Sequence, residues 1–545
     1  MKVRTDIIKT AKDLHTWVGI SAGILLFICF FAGGLTMFQH DLSRWASPPA
    51  QQLAPIQAEQ YPILIQKVQA AYPETQQSFG INFSSKEHFN APMQWTTGNA
   101  GRSFDSQQRT MLATLNPDGS IRVEEENVSK LGWLIEQLHE TGGIPGTVGH
   151  HTLGVYVMGI VAVLYFLAIM SGLIILLPTL VKDFFAIRKG KNKKRFWLDT
   201  HNVIGITSLP FHILISITVI VFAFHDLFFV ALGKIVYRGE ALFKPAIVQI
   251  ADPKPAFDLD TILTRIQQQA PEYEIRAITF NRLDQPEKAS AFAALYSDNH
   301  MLRGDYFDYM SFNPYQSDAY NNQTLNAHNG AWDKLINSMF SLHFGNYGGD
   351  ITRWLYVLLG IGGAFLFYSG NILWVESRIK KHKNMNLPAP AQRRDVKFIA
   401  NLTVGACLGC VLAVFTSMLV GRWAYVFSPQ LSNHNLLFMY AYYVVFCAAL
   451  AYSFIFGAAR VLPQLLVSIA IVLVLLPVSS LLAYILQING LWYSTGQRIW
   501  VDVFAVIFAL AFLRFYQQAY TRAKTASAGS LWAIQKSSQQ SSEQS

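Results

Sequence analysis

The chain reads as a polytopic α-helical membrane protein with eight transmembrane helices and two α+β domains inserted between them. Three observations lead there: long apolar runs recur, basic residues cluster on alternate connections, and two of the other connections are long and polar. Bulk composition agrees, with 52% hydrophobic and only 14% charged residues among 545.

The apolar runs fall at about 16–38, 153–177, 202–224, 352–375, 398–420, 435–456, 463–486 and 499–516. Roughly 20 helical residues cross a hydrocarbon layer of ~30 Å. Backbone groups in lipid must be bonded within their own segment, so each run is expected to be a helix. The first run lacks a small-residue cleavage site and is followed by further spans, so it reads as a span rather than a leader.

Charge placement orients these helices. Lys2, Arg4, Lys9 and Lys12 precede the first run, and Lys182, Arg188, Lys189, Lys191, Lys193, Lys194 and Arg195 lie between the second and third. Arg378, Lys380, Lys381, Lys383, Arg393, Arg394 and Lys397 lie between the fourth and fifth. On a serpentine path all three clusters share one face, which the positive-inside rule expects to be cytoplasmic, together with both termini. The net charge of +9 is thereby a feature of topology, and no nucleic-acid partner is expected.

The expected organisation follows: a first transmembrane helix in 1–38, a periplasmic α+β domain in 39–151, helices two and three with their basic loop in 152–225, and a second periplasmic domain in 226–351. Helix four occupies 352–380, a C-terminal four-helix module 398–516, and a disordered tail rich in Ser and Gln 521–545. Within the two domains, 57–72 and 258–270 have helical apolar spacing and stop near Tyr72-Pro73 and Ala270-Pro271. Strands are expected at Thr110–Leu115 and Ser120–Glu124, joined by the turn Asn116-Pro117-Asp118-Gly119, and again at Ile275–Phe280, Ala289–Tyr296 and Tyr306–Phe312. The 4 cysteines, Cys29, Cys407, Cys410 and Cys447, all fall in apolar runs, so no disulfide framework is expected. Cys407-x-x-Cys410 has redox or zinc spacing but no second pair, and reads as packing.

A repeat carries the chemistry. Leu14-His15-Thr16-Trp17-Val18-Gly19-Ile20 opens the first run and Thr200-His201-Asn202-Val203-Ile204-Gly205-Ile206 the third. His40-Asp41 and His225-Asp226 follow them, and Leu138-His139 and Leu342-His343 precede runs two and four. His212 lies 11 residues beyond His201, about 16 Å deeper and on the same helix face. Histidine inside a bilayer is costly and points to function. His150 and His151 are adjacent, so one at most faces inward, while His88, His300, His328, His382 and His434 look incidental. Glycines in the first four runs, and aromatics such as Trp17, Tyr165, Phe166, Phe211, Phe367 and Tyr368, suit close packing around a flat cofactor.

The stretch from Trp197-Leu198-Asp199-Thr200-His201-Asn202 to Leu209-Pro210-Phe211-His212, with Leu138-His139 before a Gly-rich approach to a span, resembles the PepSY-associated transmembrane family over about residues 1–385. That resemblance implies a bacterial inner-membrane protein of the iron-regulated or ferric-siderophore-reductase type, carrying b-type haem. One or two such haems, two by the number of histidine levels, would be held bis-His by a subset of His15, His201, His212, His139, His343, His151, His40 and His225. Neutral imidazole is a natural axial ligand. The pairing stays open: His15 with His201 matches by depth, and His212 has no obvious midplane partner. The implied acceptor is a ferric siderophore or other ferric chelate. The donor is membrane quinol or a separate cytoplasmic reductase, since no Rossmann fingerprint occurs. No hydrolytic or phosphate-binding motif competes. Two other classes remain, a transporter and a membrane-anchored binding or inhibitory module without haem. Against the transporter stand repeats of one orientation and polar residues that are mostly His at the faces, and the binding module leaves the histidine repeat unexplained. The C-terminal four helices fall outside the resemblance.

Overall fold

Among the described residues, eight helices are long and apolar enough to cross a membrane, at Thr5–Thr36, Leu153–Leu176, Leu209–Ile235, Gly349–Arg378, Arg394–Phe427, Asn435–Phe456, Ala458–Leu486 and Ile499–Thr525. These are spans 1 to 8 below. The computed structural model describes residues 3–534 apart from 50–52, 85–90, 98–108, 127–128, 149–150, 185, 189–192, 237, 239–256, 305–306, 317–319, 322–324, 326–329, 381–389, 432 and 527–529. Two units divide it: Met1–Pro48, Ser129–Phe224 and Val357–Ser545 form one, and Pro49–Val128 with His225–Tyr356 the other.

In the helical unit, small residues set the closest approaches. A Cβ on Gly360 of span 4 would lie 2.9 Å from the Gly34 Cα of span 1, and one on Gly363 would meet the Phe30 ring at 2.3 Å. Lipid offers no hydrophobic drive between helices, so such close van der Waals contact is what holds them. Span 5 contains a π-helical turn at Val404–Leu408, where Gly405 and Gly409 face Ser453, Leu450 and Ala449 of span 6. Two short helices, Gln39–Trp45 and Leu131–Thr141, cap the connections after span 1 and before span 2.

The other unit is built on strands β1 (Phe79–Asn82), β2 (Met93–Thr97), β3 (Arg109–Leu115) and β4 (Ile121–Glu126) from the first long connection. A small hairpin of β5 (Thr147–Val148) and β6 (His151–Thr152) belongs to the helical unit. The second long connection adds β7 (Glu274–Asn281), β8 (Ser290–Tyr296), β9 (Asp308–Phe312) and β10 (Tyr320–Asn321). Their order is β10-β9-β8-β7-β1-β2-β3-β4, a single antiparallel eight-stranded sheet.

This corrects the expectation of two separate α+β domains. Each connection does supply a helix and four strands, and the second also helix Ala331–Phe344, but β1 pairs with β7 from Phe79↔Phe280 to Asn82↔Ala277. Alone, each half would leave an unpaired row of backbone groups along that strand, and pairing the two edges satisfies both. One core serves both halves: Leu64, Ile65 and Val68 of helix Tyr61–Ala71 join Leu259, Ile262 and Ile266 of helix Leu259–Gln269 against Phe79, Ile81, Ile278 and Phe280. Asp258 caps the second helix by accepting from the Asp260 and Thr261 amides, and the Thr261 hydroxyl bond holds its carboxyl below the ordinary range.

The tail also differs from expectation. Thr521–Thr525 completes span 8, and Trp532 folds back over the Arg522 guanidinium at 4.7 Å, with Ile534 N–H donating to Ala523 O at 3.2 Å. Arg522 in turn pairs with Glu376 of span 4. The remainder, 535–545, lies outside the described residues.

Candidate cofactor site in the helix bundle

His15 sits on the third turn of span 1 and His201 on helix Lys193–Thr207, the approach to span 3. Their imidazoles face one another, ring centroids 6.5 Å apart and planes 85° from parallel. Each Nδ1 has its own anchor. His15 Nδ1 is 2.9 Å from the Ala168 carbonyl of span 2, and His201 Nδ1 is 2.9 Å from Ser369 Oγ of span 4. Glycine makes room behind both rings: a Cβ on Gly172 would stand 3.1 Å from His15 Cε1, and one on Gly370 3.6 Å from His201 Cε1.

Span 3 is interrupted just beyond His201. Helix Lys193–Thr207 gives way at Ser208 to Leu209–Ile235, because Pro210 has no N–H to give the Ile206 carbonyl. The Ser208→Ile204 and His212→Ser208 backbone bonds, both 3.0 Å, carry the helical pattern across the break. The single helix expected from the spacing is thus two helices. The membrane-spanning helix starts at Leu209, later than expected from composition.

His212 is buried at the start of that helix, 3% exposed. Tyr165 Oη of span 2 lies 2.5 Å from its Nδ1, Phe30 and Phe211 lie against the ring at centroid distances of 5.7 and 5.5 Å, and Phe367 packs on Phe30 at 5.3 Å. Its Nε2 is buried and has no hydrogen-bond partner among the described residues. A buried, unsatisfied ring nitrogen is the kind of exception that calls for a missing ligand.

His139 approaches span 1 from helix Leu131–Thr141, which ends at Gly142 with φ +62. Its Nδ1 is 2.9 Å from the Cys29 carbonyl and 3.5 Å from Cys29 Sγ. Gly33 is the floor beneath it, since a Cβ there would come within 2.6 Å of the same nitrogen.

The other candidates are placed elsewhere. His40 lies on helix Gln39–Trp45. His225 and His343 belong to the unit that carries the large sheet; His225 Nε2 is 3.1 Å from Asp226 Oδ1, and His343 packs edge-on to Phe344 at 5.7 Å. The His151 backbone pairs with Val148, while its side chain and His150 lie outside the described residues. His15 and His201 are thus brought ring to ring, and among the described residues no group of three or more His, Cys, Asp or Glu could hold a metal ion. A haem iron asks the protein for two ligands at most.

Ser369 and Phe30 were not singled out in the sequence, and Cys29 only as one of the cysteines in apolar runs. A hydroxyl beside Gly370 in an apolar run was the available signal for Ser369. Asp199, two residues before His201, is buried against Arg188 and Arg195 at 2.9 and 3.2 Å. Burial opposes its charge, but the Arg188 hydrogen bonds and both guanidinium charges outweigh that and hold the carboxyl below its ordinary value. The ion cluster ties the basic connection to the start of the His201 helix.

A multi-pass membrane protein with histidines in its helix bundle and a sheet between its spans is the class these features define. The family model of the PepSY-associated TM region matches residues 13–377, and the chain belongs to that family. No curated protein matches the chain. Spans 5 to 8 lie beyond the matched residues.

Proposed function

We propose that the chain is a transmembrane electron carrier of a bacterial inner membrane, holding b-type haem on its bundle histidines and reducing ferric iron, presented as a siderophore chelate, on the periplasmic side. The observation that carries this reading is the His15–His201 pair. Two imidazoles bound to one metal through Nε2, at metal–nitrogen bonds of ~2 Å, set their ring centroids roughly 6 Å apart. The observed separation is 6.5 Å.

The surroundings of the pair support it. Metal-ligating histidines use their second nitrogen to bond a carbonyl, hydroxyl or carboxylate, which fixes the tautomer and ring orientation. Ala168 O and Ser369 Oγ occupy those positions. His212, with Nδ1 engaged by Tyr165 and Nε2 buried without a partner among the described residues, has the same division of roles, and His139 has its Nδ1 on the Cys29 carbonyl. These are the residues that would hold a second haem.

When bound, haem supplies reversible one-electron exchange between Fe³⁺ and Fe²⁺. The chain's part is to fix the ligands, exclude water with Phe30, Tyr165, Phe211 and Phe367, and span the bilayer. The basic clusters orient the His15 end to the cytoplasm. One electron entering from quinol or a cytoplasmic reductase leaves to one ferric ion, and the product Fe²⁺ is held less tightly by hard oxygen ligands.

The test is a visible spectrum of the detergent-purified protein, oxidised and dithionite-reduced, with a pyridine haemochrome count. Sharp reduced α and β bands at one or two b haems per chain are expected. A colourless protein from haem-replete cells sinks the reading and leaves a transporter or a membrane-anchored binding module.

A further inference from the structure

The helix that presents His139 is gripped at both ends by one span of the C-terminal module. At its start, the Lys130 N–H donates to Asn435 Oδ1 at 2.8 Å. Just past its end, Tyr443 Oη donates to the Gly143 carbonyl at 3.1 Å. Asn435 and Tyr443 both belong to span 6 and are separated by eight residues, ~12 Å of helix at 1.5 Å per residue. Tyr442, buried beside Tyr443, stands 3.8 Å from where a Gly143 Cβ would lie.

A second set of contacts fixes the same helix sideways. Ser129 N–H donates to Ser47 Oγ at 2.7 Å, Ser129 Oγ to the Ser43 carbonyl at 2.8 Å, and Gly132 N–H to Ser43 Oγ at 2.8 Å. These bind it to helix Gln39–Trp45, whose Trp45 is in turn seated in spans 5 to 8. The Trp45 Nε1–H donates to Asp502 Oδ1 at 3.1 Å, the Arg422 guanidinium lies 4.5 Å from the Trp45 ring, and Trp492 Nε1–H donates to the Trp45 carbonyl at 2.9 Å.

We infer that span 6 is the positioning element for His139: Asn435 and Tyr443 hold the two ends of helix Leu131–Thr141 and thereby keep the imidazole seated on Cys29 and Gly33. This gives the module outside the family match a task in the same site, and rests on the proposed haem reading where it concerns His139 as a ligand. Neither residue touches the imidazole. They act through the helix, so they are positioning residues.

The test uses the full chain with Cys407, Cys410 and Cys447 replaced by alanine, so that Cys29 is the one thiol. The rate of Cys29 alkylation by N-ethylmaleimide reports the seating of His139, and a redox titration followed in the α band reports the haem. Asn435→Ala and Tyr443→Phe are expected to raise Cys29 labelling roughly fivefold each, the factor for one lost hydrogen bond of ~1 kcal/mol. Both should shift the midpoint of the haem component that His139→Ala removes, leaving the other component in place. Asn435→Asp keeps the acceptor oxygen and should restore the parental labelling rate. Parental labelling in both Asn435→Ala and Tyr443→Phe overturns the inference, and Tyr443→Phe, which deletes one hydroxyl, keeps that outcome accessible if the alanine variant does not fold. Should His139→Ala leave every haem signal intact, the ligand role of His139 fails, and the clamp stands or falls on Cys29 labelling alone.

Discussion

His15 and His201 meet at a centroid distance of 6.5 Å, although one opens the first apolar run and the other the third. Each ring is held from behind by a different helix, His15 by Ala168 and His201 by Ser369. Four helical segments therefore converge on one pair of imidazoles.

If that pair ligates one iron, losing either residue removes the same haem. His15→Ala and His201→Ala should lower the haemochrome count by equal amounts, and the double variant no further. Ser369→Ala deletes only the outer hydrogen bond and should weaken haem retention by about 10–100-fold. Titrating apo-protein with haemin measures this directly.

The seat of His139 depends on a missing side chain. A methyl group at Gly33 would come within 2.6 Å of His139 Nδ1, whereas at Gly19 nothing lies within 4 Å. Gly33→Ala should cost ~1–3 kcal/mol of stability through overpacking. Gly19→Ala should be neutral or slightly stabilising, because Ala suits a helix interior better than Gly. Thermal melts of the two variants in one detergent decide it.

Arg422 is fully buried, with the Trp45 and Trp492 rings at 4.5 and 5.4 Å from its guanidinium. It donates to Ser480 Oγ at 2.9 Å and to the Trp492 carbonyl, and Ser480 donates onward to Asp502 at 2.7 Å. Arg422→Met leaves the buried Trp492 carbonyl without its donor and takes the cation from beyond Ser480, which should cost ~1–3 kcal/mol. Adding Asp502→Asn should recover part of that loss, and a double-mutant cycle of melting temperatures gives the coupling.

Asp199 ties pH to stability with a definite sign. Its carboxyl is held below the ordinary 3.8 by Arg188 and Arg195 against the opposing effect of burial. A depressed carboxylate contributes stability that is present above its unfolded value and lost as pH falls through its folded one. Asp199→Asn should therefore destabilise at pH 7, with the difference from the parent shrinking below about pH 4. A difference that holds constant down to pH 3 would show that the ion cluster contributes nothing.

Much of this was legible along the chain. All eight spans were found from hydropathy, with the third starting later than it put it, since a membrane helix must satisfy its own backbone and so announces itself within ~20 residues. The hairpin at Asn116–Gly119 and helices Tyr61–Ala71 and Leu259–Gln269 were readable for the same local reason, since Gly119 takes φ +78 at the turn and the helices stop at prolines; helix Ala331–Phe344 was not read. The strands β1, β2 and β10 were not, being short and without marked alternation.

What the sequence determined by itself was the set of local facts: which segments cross the membrane, where histidines stand on them, and the family to which residues 13–377 belong. Tertiary structure alone decided who meets whom. It brought His15 to His201, left His212 Nε2 buried without a partner among the described residues, joined two connections through β1 and β7, and set span 6 against both ends of the His139 helix. The reason is that propensity, hydropathy and turn chemistry act over a few residues. Helix crossings, sheet edges and ring pairs depend on contacts between segments hundreds of residues apart, which leave no period in the sequence to read.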